Sequence, residues 1–172
     1  MTLLVLSVVG SDRPGLTKAL SAAVLSAGGN WLESHLSRLG GLYVGSVLVD
    51  LTDGKIETLR SAVSAVDAAG LEVRIVPAQG RAGVAGDTLA FTLVGQDRPG
   101  IVKQVTATIS ELGANIETFK TWLSDEAHSG GHLFHMDANL RLQPGLAAAT
   151  VQDALEAISG EIMVDVAVKA KG

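Results

Sequence analysis

Gly10-Ser-Asp-Arg-Pro-Gly15 returns as Gly95-Gln-Asp-Arg-Pro-Gly100, eighty-five residues further along the chain. The same offset carries Gly28-Gly29-Asn30 onto Gly113-Ala114-Asn115. A repeat this long reads as one small domain written twice, because each copy needs a core of its own. Each hexapeptide follows a short apolar run, Leu3 to Val9 and Thr88 to Val94, which the composition predicts as buried strands. Each is followed by a helical stripe. Leu16, Leu20, Ala23, Val24 and Ala27 match Ile101, Val105, Thr108, Ile109 and Leu112, spaced as one face of a helix. Pro14 and Pro99 suit the first helical position, and Gly28 and Gly113 a left-handed C-terminal cap.

Two strand-like stretches come next in each half: Trp31 to Leu39 with Leu42 to Leu51, and Ile116 to Leu123 with His132 to Leu142. Gly40-Gly41 makes a tight hairpin in the first copy, whereas Ser124 to Gly131 forms a longer loop in the second. Phe134, Met136, Ala138 and Leu140 alternate with Leu133, His135, Asp137 and Asn139, so one face of that strand is buried and the other partly polar. A second helix follows (Ile56, Leu59, Val63, Val66; then Val151, Ala154, Leu155, Ile158), and a last strand over about 71–76 and 162–168. The order is βαββαβ, twice. The predicted class is α+β: two ferredoxin-like units, each an antiparallel four-stranded sheet with two helices on one face. The first unit spans 1–77 and the second 88–172. Between them, 78–87 is rich in Gly and Ala without periodicity and reads as a linker.

Composition narrows the function. Hydrophobic residues make up 47% of the 172 and charged residues 18%, which argues for packed cores rather than disorder. No apolar run approaches a membrane span, and no basic segment precedes Leu3 as in a signal peptide. There is no cysteine, hence no disulfide framework and no thiolate ligand or nucleophile, which fits a cytoplasmic protein. The net charge is −5 and the basic residues are scattered, so direct nucleic-acid binding is not expected. The turn lacks the Lys-Ser/Thr of a phosphate loop and the glycine spacing of a dinucleotide fold, and no cofactor is expected.

The Asp-Arg-Pro-Gly-Leu/Ile turn after a first strand, followed by Gly-x-Asn before the second, resembles the ACT domain, a regulatory module that binds small molecules, often amino acids. Two copies filling the chain resemble the glycine cleavage system transcriptional repressor family. Its hairpins are similar to His128-Ser-Gly-Gly-His-Leu-Phe-His-Met136 and Ser34-His-Leu-Ser-Arg-Leu-Gly40. The resemblance implies a non-enzymatic cytoplasmic regulator that senses glycine or a related amino acid and contacts a separate DNA-binding activator. A homodimer is the expected assembly. The ligand is expected at the strand-to-helix turn or where domains meet. The positions implied are Ser11, Asp12, Gly15, Leu16 and Asn30 in the first copy, and Gln96, Asp97, Gly100, Ile101 and Asn115 in the second, with His128 beside them.

The turn has physical means to do this. The first N–H groups of a helix are orphan donors carrying partial positive charge, which suits a carboxylate. Gly15 and Gly100 leave the backbone approachable, Asp12 and Asp97 answer an ammonium, and the Asn30 and Asn115 amides answer either group. The competing readings are structural. Asp12 and Asp97 serve equally as helix caps, Asn30 and Asn115 as turn residues, and Arg13 and Arg98 as solvated charges. His128, His132 and His135 invite a metal reading, but 132 and 135 point to opposite faces of a regular strand, and no metal is expected. Trp31 and Trp122 read as sheet or interface packing, Tyr43 and Phe134 as core. Two rival functions remain: an enzyme, for which no acid–base or nucleophilic set shares a readable site, and an assembly module whose open sheet faces bind protein without a ligand.

Overall fold

A computed structural model describes residues 1–68, 70–78, 86–125, 131–158 and 162–169, with backbone alone for 165–169. The chain divides into two compact units, 1–81 and 82–172. The first runs β1 (Thr2–Ser11), α1 (Leu16–Ser26), β2 (Gly29–Leu39), β3 (Leu42–Leu51), α2 (Ile56–Ala68) and β4 (Leu71–Pro77). The second repeats this with β5 (Thr88–Gln96), α3 (Ile101–Glu111), β6 (Asn115–Asp125), β7 (His132–Arg141), α4 (Ala148–Glu156) and β8 (Met163–Lys169). The sheets are ordered β2-β3-β1-β4 and β6-β7-β5-β8, every neighbour antiparallel. The α+β, twice-written ferredoxin-like class expected from the sequence is therefore the fold.

Alternation decides which face is buried. Leu4, Leu6 and Val8 of β1 pack with Val47, Val49 and Leu51 of β3 beneath Leu20, Val24, Leu59 and Val63 of the helices. Leu89, Phe91 and Leu93 repeat this with Met136, Ala138 and Leu140 beneath Val105, Ile109, Val151 and Leu155. Each unit thus has its own core, and no polar side chain among the described residues is fully buried.

Gly28 and Gly113 adopt the positive φ of 75° and 72° expected one residue past a helix C-cap. In α3 the Gly113 N–H donates to Ser110 O and the Ala114 N–H to Ile109 O, a paired closure of the last turn. Gly40 and Gly41, at φ 59° and 83°, make the two-residue hairpin between β2 and β3, the conformation that matches strand twist. Pro14 and Pro99 are corrected. They precede the N-caps Gly15 and Gly100 rather than opening the helix, because the chain makes a left-handed step at each glycine first. A feature the pattern did not foretell is a register break between Trp31 and Glu33, repeated between Ile116 and Thr118. One extra residue per copy, Leu32 and Glu117, reverses the parity of the strand, so Trp31 and Ile116 face the helices before the break and Ser34, Leu36 and Phe119 share that face after it.

Candidate functional site

Each turn is built where β1 or β5 ends. Gly10 lies between Tyr43 of β3 and Leu71 of β4, and Gly95 is flanked by Phe134 of β7. A Cβ on Gly10 would collide with Gly70 O and Leu71 Cα, so only glycine lets the last strand start this close to the turn. The chain then steps through Gly15 at φ 93°, or Gly100 at φ 89°, into the helix. Beside either glycine, no described residue other than its chain neighbours places an atom within 4 Å of where a Cβ would stand. The backbone there is open on that side, as a ligand approaching the first-turn N–H groups requires. The Gly15 and Gly100 carbonyls already accept the first helical bonds, from Ala19 N at 2.9 Å and Gln104 N at 3.0 Å.

The capping role considered for Asp12 and Asp97 is not realised: Gly15 and Gly100 are the N-caps, and neither helix has a side-chain cap. The Asp12 carboxylate instead meets Arg38 of β2, Oδ2 to Nε 3.1 Å. The Thr17 and Tyr43 hydroxyls are hydrogen-bonded at 2.6 Å, tying the first turn of α1 to β3. Tyr43 is thus half-buried with its hydroxyl engaged, while its counterpart Phe134 is wholly core.

The second turn is held differently. The Asp97 N–H donates to His132 O at 3.0 Å, and its carboxylate has no partner among the described residues. Leu16 and Ile101 are buried beneath the turns and shape them from below. Ser11 and Asp97 are exposed and Gln96 is half-buried. Arg13 is exposed, as expected of a solvated charge, and its guanidinium lies against Gly70.

The amides do not join the turns. Asn30 pairs with Asp50, which pairs with Leu3 near the start of β1, whereas the turn leaves from Ser11. Eight strand positions, roughly 26 Å at ~3.3 Å each, separate the two ends. Asn115 stands likewise beside Arg141 and Thr88, at the far end from Gln96. The expectation that each turn is flanked by its own copy's amide is therefore corrected. A βαββ path puts the beginnings of its first two strands at one edge and the first turn at the other. His128 lies outside the described residues.

Among the other histidines, His35 pairs with Glu33 at 3.0 Å and His132 with Asp125 at 3.1 Å. His135 lies on the opposite face of β7 from His132, as parity requires. It stacks on Trp122, rings 5.1 Å apart and 5° from parallel, and its Nε2 is 2.6 Å from Ser124 Oγ. Lys120 Nζ sits 5.2 Å from the Trp122 ring centre. This cluster went unread in the sequence, because it depends on which residues face each other across β6 and β7. No carboxylate orients His135 among the described residues, so the Ser124–His135 pair lacks the third member of a nucleophile relay. No group of three metal-ligating side chains occurs among the described residues.

Comparison with known proteins agrees with this architecture. The solved structure of an unknown protein from Galdieria sulphuraria superposes with a TM-score of 0.84 at 27% identity, covering 98% of this chain and 99% of that one. A candidate glycine cleavage system transcriptional repressor superposes with a TM-score of 0.70 at 16% identity, covering 99% and 98%. None of the curated proteins matches the sequence. The ACT domain model matches residues 2–76 and again 87–169, and the chain belongs to the ACT domain family, with two copies in tandem.

Proposed function

We propose that this protein is a non-enzymatic regulator that senses a small amino acid at its strand-to-helix turns and transmits occupancy to a protein partner. Membership of the ACT family supports the regulatory class. The candidate glycine cleavage system transcriptional repressor that shares its fold suggests the direction, glycine-linked transcriptional control, and the partner in this reading is a separate DNA-binding activator. The observation that carries the reading is the second turn: an Asp97 carboxylate with no partner among the described residues, beside the open backbone of Gly100 at the start of α3. The ligand carboxylate takes the first-turn N–H groups and its ammonium takes Asp97. Gln96 and Ile101 border that site. Ser11, Asp12, Gly15 and Leu16 form the first-copy equivalent, where Arg38 must release Asp12 before it can bind an ammonium. Asn30 and Asn115, at the far ends of their strands from the turns, take no part in this site, and His128 is a secondary contact in this reading. A cytoplasmic homodimer is its setting, and no described helix is long and apolar enough to cross a membrane.

Calorimetric titration with free amino acids, glycine first, tests it. Saturable heat is expected, and Asp97→Ala should weaken it at least tenfold while Asp12→Ala has the smaller effect. Folded protein giving no heat with any amino acid would end the proposal. An assembly module that needs no ligand is the second reading, favoured by partly exposed Leu3, Val9, Leu42 and Val76 on the strands of the first unit. Under it, association would be unchanged by Asp97→Ala and by every amino acid.

A further inference from the structure

The first unit has a groove of about 190 Å³ between α2 and the edge strand β4, lined by Arg60, Val63, Ser64, Asp67, Val73 and Ile75. Its floor is aliphatic: Val63 is core, and Val73 and Ile75 pack against the core from β4. Its rim carries one cation, one anion and a hydroxyl. Arg60, Ser64 and Asp67 follow one another at four and three residues along α2, so they share a side of the helix. Among the described residues the Arg60 side chain is held only by an exposed ion pair with Glu57 at 3.5 Å, which costs little to break. The Ser64 hydroxyl donates to Arg60 O at 3.0 Å and keeps its lone pairs for a further donor.

The second unit shows what the same place looks like when closed. Buried Val151 and Leu155 of α4 correspond to Leu59 and Val63, so Gln152 stands for Arg60 and Glu156 for Ser64. Val164, opposite Leu93, stands for Val73, opposite Val8. There Gln152 Nε2 donates to Glu156 Oε1 at 3.0 Å and to Val164 O at 3.1 Å, bridging helix to strand across the position that is open in the first unit. One copy has filled this groove with its own amide and the other has left it open between opposite charges.

The geometry points to the α2–β4 groove of the first unit as a binding site for a free aliphatic amino acid, separate from the strand-to-helix turns. The ligand carboxylate meets Arg60, its ammonium meets Asp67, and its side chain lies on Val63, Val73 and Ile75. The volume is that of about six waters at ~30 Å³ each. It suits a molecule of roughly that many heavy atoms, about the size of alanine to valine.

The test uses the full chain with labelled methyl groups, titrated with alanine, valine and leucine, and with N-acetylvaline and valinamide, each of which lacks one charge. Saturable shifts of the Val63, Val73 and Ile75 methyls are expected with valine or alanine, and at least tenfold weaker response to either derivative. Arg60→Gln with Ser64→Glu transplants the closure of the second unit and should abolish the shifts. Asp67→Asn, a surface change, should weaken binding at least tenfold should the double variant fail to fold. Asp97→Ala should leave these shifts unchanged, which separates this site from the turn. The proposal is overturned by unmoved groove methyls with all three amino acids, by derivatives that bind as well as valine, or by a folded transplant that titrates like the parent.

Discussion

Gly10 and Gly15 stand five residues apart and are glycine for different reasons. At Gly10 a methyl group would meet Gly70 O and Leu71 Cα, backbone atoms that cannot rotate away. Gly10→Ala should therefore cost about 1–3 kcal/mol, the usual penalty for overfilling a packed site, read as a lower urea midpoint. At Gly15 space is open and the constraint is φ 93°. Gly15→Ala should cost about 1–2 kcal/mol through backbone strain alone. Arg38 offers a third case. Its pair with Asp12 is exposed, 72% and 38% for the two side chains, so Arg38→Ala should change stability by under about 1 kcal/mol. It frees Asp12, and calorimetry should then find the first turn binding an amino acid more tightly than in the parent.

The elements were largely legible in the sequence. Period-two alternation placed Phe134, Met136, Ala138 and Leu140 inward, and the i, i+4, i+7, i+8 stripe placed Leu16, Leu20, Ala23 and Val24 on the buried face of α1. Gly28 and Gly113 announced the helix ends. The register break at Leu32 and Glu117 was not legible, because an extra residue leaves alternation intact on either side of itself. Of the site, the turn could be read and its surroundings could not. The Arg38–Asp12 pair, the Trp122–His135 stack and the Gln152 bridge all join residues brought together by register or helix packing. The misplaced amide has the same origin, since a motif gives proximity along the chain while direction along a strand comes from topology. Gly45 extends this to β3. At φ 148° a Cβ would strike His35 O of β2, so Gly45→Ala should loosen that edge hairpin and raise amide exchange through β2 before the core is affected.

At the scale of the molecule, two separate clusters of buried side chains mean two cores that can fail separately. Phe91 is fully buried in the second, and Phe91→Ala should cost about 3–5 kcal/mol there. Unfolding followed by Trp31 and Trp122, one in each unit, should then separate into two steps, with the Trp122 signal lost first. A single coincident transition in that variant would mean that the units unfold as one.

Gly70 has a consequence for the first unit. Its carbonyl faces Gly10, the Arg13 guanidinium rests against it, and its N–H donates to Asp67 O at 2.7 Å at the end of α2. The turn and the groove therefore share this residue as a common fulcrum. A shift of α2 by a fraction of an ångström on filling the groove would be felt at Arg13, and an occupant of the turn would press back on Asp67 with equal thermodynamic force. Two small molecules bound to one unit would each report on the other's presence through a residue with no side chain.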